Sequence, residues 1–314
     1  MKYGFGIDLG GTTVKLARFD MAGNLLCKWE IPTDRRENGK NILPDIAKAI
    51  HDHLTSEGIA PADVIGLGIG VPGAVLPDGT VNKCINLGWG VFNIQKELET
   101  LTGFPVAAGN DATVAALGEC WKGGGAGYST LVFATLGTGV GGGIVVDGKV
   151  IHGVHGAGGE IGHLVLNREE TEPCGCGKYG CVEQYCSATG IVRLAKKHLA
   201  ETQKASCLRS LEELTCKDIF DGAKAGDPEA AAIAEQYFRY LGEFLANVCC
   251  VIDPEVIVLG GGVSKAGAFL TEGVKKYYRQ YVFHTTRDIE IKLAELGNDA
   301  GAYGAYKLIL DKTN

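Results

Sequence analysis

The sequence predicts an α/β fold on three observations. β-rich runs alternate with runs of helical periodicity from end to end. Three glycine-rich loops each follow a buried β-type run. The 314 residues, 46% of them hydrophobic, are enough for two domains or one large α/β unit.

Taken in order, residues 3–31 read as three short strands. "YGFGIDLGG" and "VKLARFD" are β-rich, and "AGN" turns the chain into "LLCKWEI". Residues 41–57 have helical spacing, with Ile42, Ile46, Ala49, Ile50 and Leu54 recurring at three and four. "VIGLGIGVPG" is a buried strand closed by a Pro-Gly turn. "FPVAAGND" is another, ending at Asn110-Asp111, and "ATVAALGECW" continues as a helix. A second half starts near Ser129. "STLVFATLGTGVGGGIVVDGKVI" reads strand, glycine loop, strand, turn, strand, and its opening echoes the N-terminus, "VFATLGTG" lying over "FGIDLGGT". Residues 187–250 are mostly helical, including a long run from Pro228 to Val251. "EVIVLGGGVSK" is a strand entering a glycine turn with a helix after it, and "DAGAYGAYKLIL" is a closing helix. The expected division is residues 1–112 plus 300–314 in one domain and 113–299 in the other.

Composition narrows the classes of function. The net charge is −7 and no basic run stands out, which speaks against nucleic acid as a partner. The uncharged stretch from Gly123 to Val146 has the length of a membrane span, but its glycines fit two β segments around a loop, so no membrane partner is expected. "MKYGFGIDLGGTT" places Asp8 where a secretory signal would be apolar. The eleven cysteines are odd in number and mostly scattered in apolar segments, as in a reducing, cytoplasmic setting.

The glycine loops suggest anion binding. In "DLGGTTVK", residues 8–15, Gly10, Gly11, Thr12 and Thr13 sit at a bend where backbone N–H groups could cradle a phosphate, and Asp8 could hold magnesium through water. The alternative is an ordinary Gly-Gly hairpin. It is not a Walker loop, lacking Gly-Lys-Ser/Thr at the right spacing. "LGTGVGGG" repeats the arrangement with Gly137, Thr138 and Gly139, and "LGGGVSK" supplies Gly261 and Gly262. Three such loops point to a nucleotide.

"PCGCGKYGCVEQY" concentrates Cys174, Cys176 and Cys181 in eight positions. Cys-x-Cys-x4-Cys is tight enough for one tetrahedral ion. A redox pair is the competing reading, although Cys-x-Cys closes a strained ring and no Cys-x-x-Cys is present.

On these motifs the chain resembles the ROK family of sugar kinases, which has the actin-like ATPase (ribonuclease H-like) fold. "DLGGTTVK", with Lys15, is similar to the family's first phosphate loop, "TLGTGVGGGIVVDG" to its second and "VIVLGGGVS" to its adenosine loop. "GGEIGH" followed by "CGCGKYGCVEQ" resembles the family signature, and "CVEQYCSATGI" is most similar to bacterial glucokinases. The resemblance implies two domains closing over sugar and nucleotide, and ATP-dependent phosphorylation of glucose at its 6-hydroxyl with magnesium. It also implies His163 as fourth ligand of a structural zinc, in agreement with thiolate and imidazole chemistry. Tying Cys181 to His163 through one ion would bring Glu183 and Glu160 to one place as sugar contacts. In the family the histidine serves both metal and sugar.

Asn110-Asp111 lies at a strand end and helix start, where either residue alone would serve as a cap. The resemblance makes Asp111 the catalytic base and Asn110 a sugar contact, with "GVPG" and its Gly73 lining the same pocket. His51 and His53 are expected at the surface, and His152 and His155 at surface or core positions. Cys186 stands where the family usually has a small residue such as alanine, and is expected as a small core residue. The rival activities are phosphorylation of N-acetylmannosamine or fructose. A sugar-responsive regulator would need an added N-terminal helix-turn-helix, for which Asp8 leaves no room. The cysteine cluster speaks against a structural actin-like ATPase. A homo-oligomer, dimer or tetramer, is expected.

Overall fold

The structure, a computed structural model, describes residues 1–313. In chain order it contains β1 (Tyr3–Leu9), β2 (Thr13–Asp20), β3 (Leu25–Pro32), a helical turn α1 (Arg36–Gly39), α2 (Ile42–Ser56) and β4 (Val64–Val71). A hairpin of β5 (Thr80–Cys84) and β6 (Trp89–Asn93) follows, then α3 (Ile94–Thr102), β7 (Val106–Asn110) and α4 (Asp111–Lys122). Next come β8 (Leu131–Leu136), β9 (Val140–Val146), β10 (Lys149–Val150), the short turn α5 (Glu183–Cys186), α6 (Ala188–Glu201), α7 (Cys216–Lys224) and α8 (Pro228–Ile252). The chain closes with β11 (Val256–Gly260), α9 (Ala268–Tyr281), β12 (Glu290–Leu293) and α10 (Ala300–Thr313). The expected strands and helices all form; α1, the β5–β6 hairpin, α3, α5 and β12 are additional.

Two compact units are built from these elements. The first comprises Met1–Ser129, Gly143–Gly159 and the chain from Glu295 onward; the second comprises Thr130–Gly142 and Glu160–Ala294. The first unit therefore reaches beyond the expected boundary at residue 112. The reason is α4, which is locked to α10 by two glycines. A Cβ on Gly304 would lie 1.7 Å from the Val114 carbonyl oxygen, and one on Gly118 2.2 Å from that of Ala300.

The first unit's sheet has the order β3-β2-β1-β4-β7. β1 is antiparallel to β2 and parallel to β4, and β4 is parallel to β7. Side chains alternate across it. Phe5, Ile7 and Leu9 face the core that includes Ile42, Ile46 and Ile50 of α2 and Leu98 of α3. On the other face Gly6 and Gly68 let α10 approach to backbone contact, a Cβ at either falling within 2 Å of the Ala302 or Ala305 oxygen. Ala17, Phe19, Ala107, Ala302, Tyr306 and Ile309 complete that second core.

A second sheet has the order β10-β9-β8-β11-β12, with β8, β11 and β12 parallel. In the second unit β8 and β11 are buried throughout apart from Thr135. Its helical part is held by an aromatic cluster in which Phe220 stacks on Phe238 at 5.9 Å and Phe269 meets Phe238 edge-on at 5.3 Å. Cys186 is fully buried there, as expected; burial pushes its thiol well up, and its carbonyl accepts from the Tyr237 hydroxyl at 2.7 Å. No helix among the described residues is long and apolar enough to cross a membrane; the uncharged stretch from Gly123 to Val146 instead includes β8 and β9.

Candidate active site

Parallel strands direct their C-terminal ends to one edge of a sheet, and loops that act chemically gather there. In the first unit β1 ends before Gly10-Gly11, β4 before the Pro72-Gly73 turn and β7 at Asn110. Register makes Asp8 the neighbour of Gly70, and Val71 that of Asn110. The first glycine loop and the Asn110-Asp111 corner therefore share an edge.

The first loop is a tight strand–turn–strand. The Gly10 amide donates to the Thr13 carbonyl at 3.0 Å, and no atom would come within 4 Å of a Cβ on Gly11, whose surroundings are open. Thr33 braces it from β3's end: its hydroxyl donates to the Gly10 carbonyl at 2.8 Å and its amide to that of Thr12 at 2.9 Å. Sequence reading missed Thr33, because only register brings it to the loop. Asp8 points to the start of α10, where a Cβ on Gly301 would meet its carboxylate at 2.7 Å. Burial raises the Asp8 carboxyl above its ordinary range, opposed by the Lys15 ammonium 3.8 Å away. Lys15 also donates to the Asn298 carbonyl at 3.3 Å.

Asn110 caps α4, its Oδ1 accepting from the Thr113 amide at 3.0 Å. The other end of the same side chain donates from Nδ2 to the Gly73 carbonyl at 3.1 Å, and Gly73 has a φ of +114° that favours glycine. The capping role is thus real, and it also ties the Pro-Gly turn to the helix start. Asp111 is the first residue of α4, its Oδ1 accepting from the Ala112 amide at 2.8 Å, where the helix dipole favours an anion. His152 is half-buried beside Gly109, which lowers its basicity through desolvation, and His155 is exposed. His51 is exposed as expected. His53 is not a plain surface residue: it stacks on Trp29 at 4.4 Å and is half-buried.

In the second unit, β8 leads into Gly137, Thr138 and Gly139, and β11 into Gly261 and Gly262. The two loops touch: a Cβ on Gly261, whose φ is +80°, would lie 2.4 Å from the Leu136 oxygen, while Gly262 stands open. The start of α6 fixes the first of them, the Ala188 amide donating to the Gly137 carbonyl at 2.8 Å and the Thr189 hydroxyl to that of Thr138 at 2.7 Å.

The cysteine cluster lies in the same unit. Ligand atoms of His163, Cys174, Cys176 and Cys181 all fall within 4.8 Å of one another. Cys176 Sγ is 3.6 Å from Cys181 Sγ, and Cys174 Sγ is 3.8 Å from His163 Nδ1. Four ligands at ~2.3 Å from one ion, tetrahedrally arranged, are about 3.8 Å apart, so the donor set fits a zinc-sized ion, whereas a disulfide needs ~2.05 Å. All eleven cysteines are free. The ring's other nitrogen, Nε2, faces Glu160 Oε2 at 3.9 Å.

Backbone geometry builds this cluster. A Cβ on Gly162 would lie 1.9 Å from the Val140 oxygen, and one on Gly180, with φ of +73°, 1.7 Å from the Asn167 oxygen. Lys178 donates to the His163 carbonyl at 2.8 Å, and Gln184 Oε1 accepts from the Cys181 amide at 3.0 Å. Burial pushes the Cys181 thiol up to about 12 and raises that of Cys174, while Cys176 is lowered, with burial opposing and hydrogen bonds from the Lys178 amide and its neighbours prevailing. Glu183 joins the cluster to the glycine loop. One oxygen lies 3.5 Å from Cys174 Sγ, the other 3.2 Å from the Val140 amide nitrogen, in space that only a glycine at 139 leaves free.

The ROK family model matches residues 4–312. A glucokinase from Halalkalibacterium halodurans is 42% identical, over 98% of this chain and 95% of its own. The crystal structure of a ROK family glucokinase from Streptomyces griseus, in complex with glucose and AMPPNP, is 32% identical with a TM-score of 0.74, covering 98% of both chains. A ROK family transcriptional regulator, a homologue of the E. coli MLC protein, superposes with a TM-score of 0.85 at 27% identity, over 99% of this chain and 78% of that one. With the family model matched over residues 4–312 and a relative 42% identical over 98% of the chain, this chain belongs to the ROK family.

Proposed function

We propose that this protein is a glucokinase, transferring the γ-phosphoryl group of ATP to the 6-hydroxyl of glucose. The observation that carries the reading is the 42% identity with a glucokinase over almost the whole of both chains. The site's geometry supports it, with Asp111 at a helix start and three glycine loops at strand ends.

In this reading Asp111 orients the 6-hydroxyl and accepts its proton, the helix start keeping the carboxylate ionised. In a loose transition state the orienting role is the larger. Asn110 has a second amide hydrogen beyond the one given to Gly73, and it contacts the sugar beside that turn. Glu160, Glu183 and His163 Nε2 supply further partners for sugar hydroxyls. The backbones of Gly10, Gly11, Thr12 and Thr13, with Lys15, and of Gly137, Thr138 and Gly139 hold the phosphates. Gly261 and Gly262 line the adenosine. Asp8 would hold the magnesium that accompanies ATP, and the ion would supply charge neutralisation for the transferring phosphoryl group. His163 Nδ1, Cys174, Cys176 and Cys181 would hold a zinc ion, which would fix the loop bearing the sugar contacts. Reduced thiols fit the cytoplasm, and the assembly is a dimer or tetramer, measurable by light scattering.

The likeness to a ROK transcriptional regulator favours a second reading, sugar binding without transfer. A coupled phosphorylation assay separates the two, with ATP or polyphosphate as donor and glucose, N-acetylmannosamine and fructose as acceptors. Glucose with ATP should give the highest kcat/KM, with N-acetylmannosamine at least ~10²-fold poorer because a site matched to hydroxyls leaves groups unpaired against an analogue. A different preferred sugar would replace the substrate but keep the mechanism. Binding without any phosphorylation would establish the regulator.

A further inference from the structure

Glu119 is a carboxylate that the proposed chemistry does not use, yet its side chain is wholly buried, at 0% exposure. It lies on α4 and accepts three backbone hydrogen bonds. Its Oε2 takes the amides of Gly124 at 2.8 Å and Glu295 at 3.0 Å, and its Oε1 takes that of Leu296 at 2.9 Å. Gly123 leaves room for it, since a Cβ there would lie 2.0 Å from Oε2. These amides belong to the segment by which the chain approaches the end of its first stretch in unit one and to the segment by which it returns at Glu295.

The returning segment leads directly to the first phosphate loop. Leu296 precedes the turn Gly297–Asp299, whose Asp299 amide donates back to the Leu296 carbonyl at 3.0 Å. In that turn the Asn298 carbonyl accepts from Lys15, and Asp299 pairs with Lys28 at 2.8 Å. Two residues on, Gly301 abuts the Asp8 carboxylate. We infer that Glu119 is a positioning residue for nucleotide binding: by gripping the Glu295 and Leu296 amides it sets where the Gly297–Asp299 turn and the start of α10 meet Lys15 and Asp8. This rests on the reading of residues 8–15 as a phosphate loop.

Glu119→Gln tests it. Both carboxylate oxygens accept N–H groups, so a glutamine must turn its NH2 against at least one of them. Leu296→Pro removes the same bond from the other side without touching Glu119, and the φ of −79° at Leu296 is within proline's range. Calorimetric titration of each folded variant with magnesium–ATP should show the Kd raised roughly tenfold, the loss of one hydrogen bond to a charged group, with glucose Kd unchanged. The double variant should bind ATP no more weakly than the weaker single one, because both remove one interaction. Wild-type ATP affinity in either folded variant, whatever its loss of thermal stability, would overturn the assignment and leave Glu119 a structural residue. So would a parallel weakening of glucose. If the wild type binds magnesium–ATP but phosphorylates no sugar, the kinase reading fails while this comparison still decides the role of Glu119. If the wild type does not bind magnesium–ATP, the assignment falls with the phosphate loop.

Discussion

Glu183 accepts a hydrogen bond from the Val140 amide at 3.2 Å while its other carboxylate oxygen lies 3.5 Å from Cys174 Sγ. One side chain thus touches both the cysteine cluster and the strand that leaves the second glycine loop. A disturbance of either reaches the other through a single carboxylate.

Metal content is the first consequence. Purified protein should carry about one zinc per chain by elemental analysis. Cys176→Ala should lose it, and KM should rise more for glucose than for ATP, because the cluster side of Glu183 is disturbed while its bond to the Val140 amide remains. Metal-free protein with unchanged KM for both substrates would remove the zinc and its link to the loop.

Asp111→Asn keeps shape and removes the base. Turnover should fall at least ~10²-fold with ATP affinity nearly intact. A folded variant with near-normal turnover would reduce Asp111 to a helix-start residue.

For Asn110→Ala two effects should separate. Loss of the cap should cost about 1 kcal/mol in denaturant unfolding. Loss of the bond to Gly73 should also raise the glucose KM, since the Pro-Gly turn is no longer tied to α4. Asn110→Ser, which can cap but cannot reach as Asn does, should recover the stability and not the KM. Recovery of both would show that capping is its whole role.

A pH dependence follows from the network beneath the cysteine loop. Glu170 accepts from Arg193 at 2.7 Å and from the Tyr185 hydroxyl, with its side chain only 5% exposed. The Arg193 hydrogen bond, against the opposing effect of burial and with help from Tyr185, holds its carboxyl at about 2. A lowered carboxyl stabilises the fold above its unfolded value of ~4.3, and that contribution disappears as pH falls towards the folded value. Arg193→Met should therefore destabilise by about 3 kcal/mol at neutral pH. The gap to wild type should narrow as pH drops from about 4 to about 2, read from urea midpoints. A gap independent of pH would show that Arg193 acts by packing on the Tyr185 ring alone.

Much of this was legible because it is local in sequence. The first loop reads from Gly10-Gly11 between β-rich runs, and the cysteine cluster from the spacing of Cys174, Cys176 and Cys181. What was illegible depends on register and tertiary contact. Thr33 looks like a loop threonine until β2–β3 pairing carries it to Gly10. Glu119 shows no sign of its role in the helical run that carries it, because its partners at 295 and 296 are remote in the chain. The boundary at residue 112 failed for a similar reason. Nothing in "ATVAALGECW" announces that Gly118 must meet Ala300.

The packing of α10 against Gly6 and Gly68 also fixes an order of events during synthesis. All five strands of the first unit's sheet leave the ribosome before any of the second unit, but the helix that covers one face of them emerges only after it. Until then Ala17, Phe19 and Ala107 are without their partners Tyr306 and Ile309. The second unit, contiguous from Glu160 to Ala294 apart from its short early segment, has its whole sequence available first. A nascent chain halted before Ala300 should consequently hold a folded second unit beside a protease-sensitive, chaperone-dependent first one.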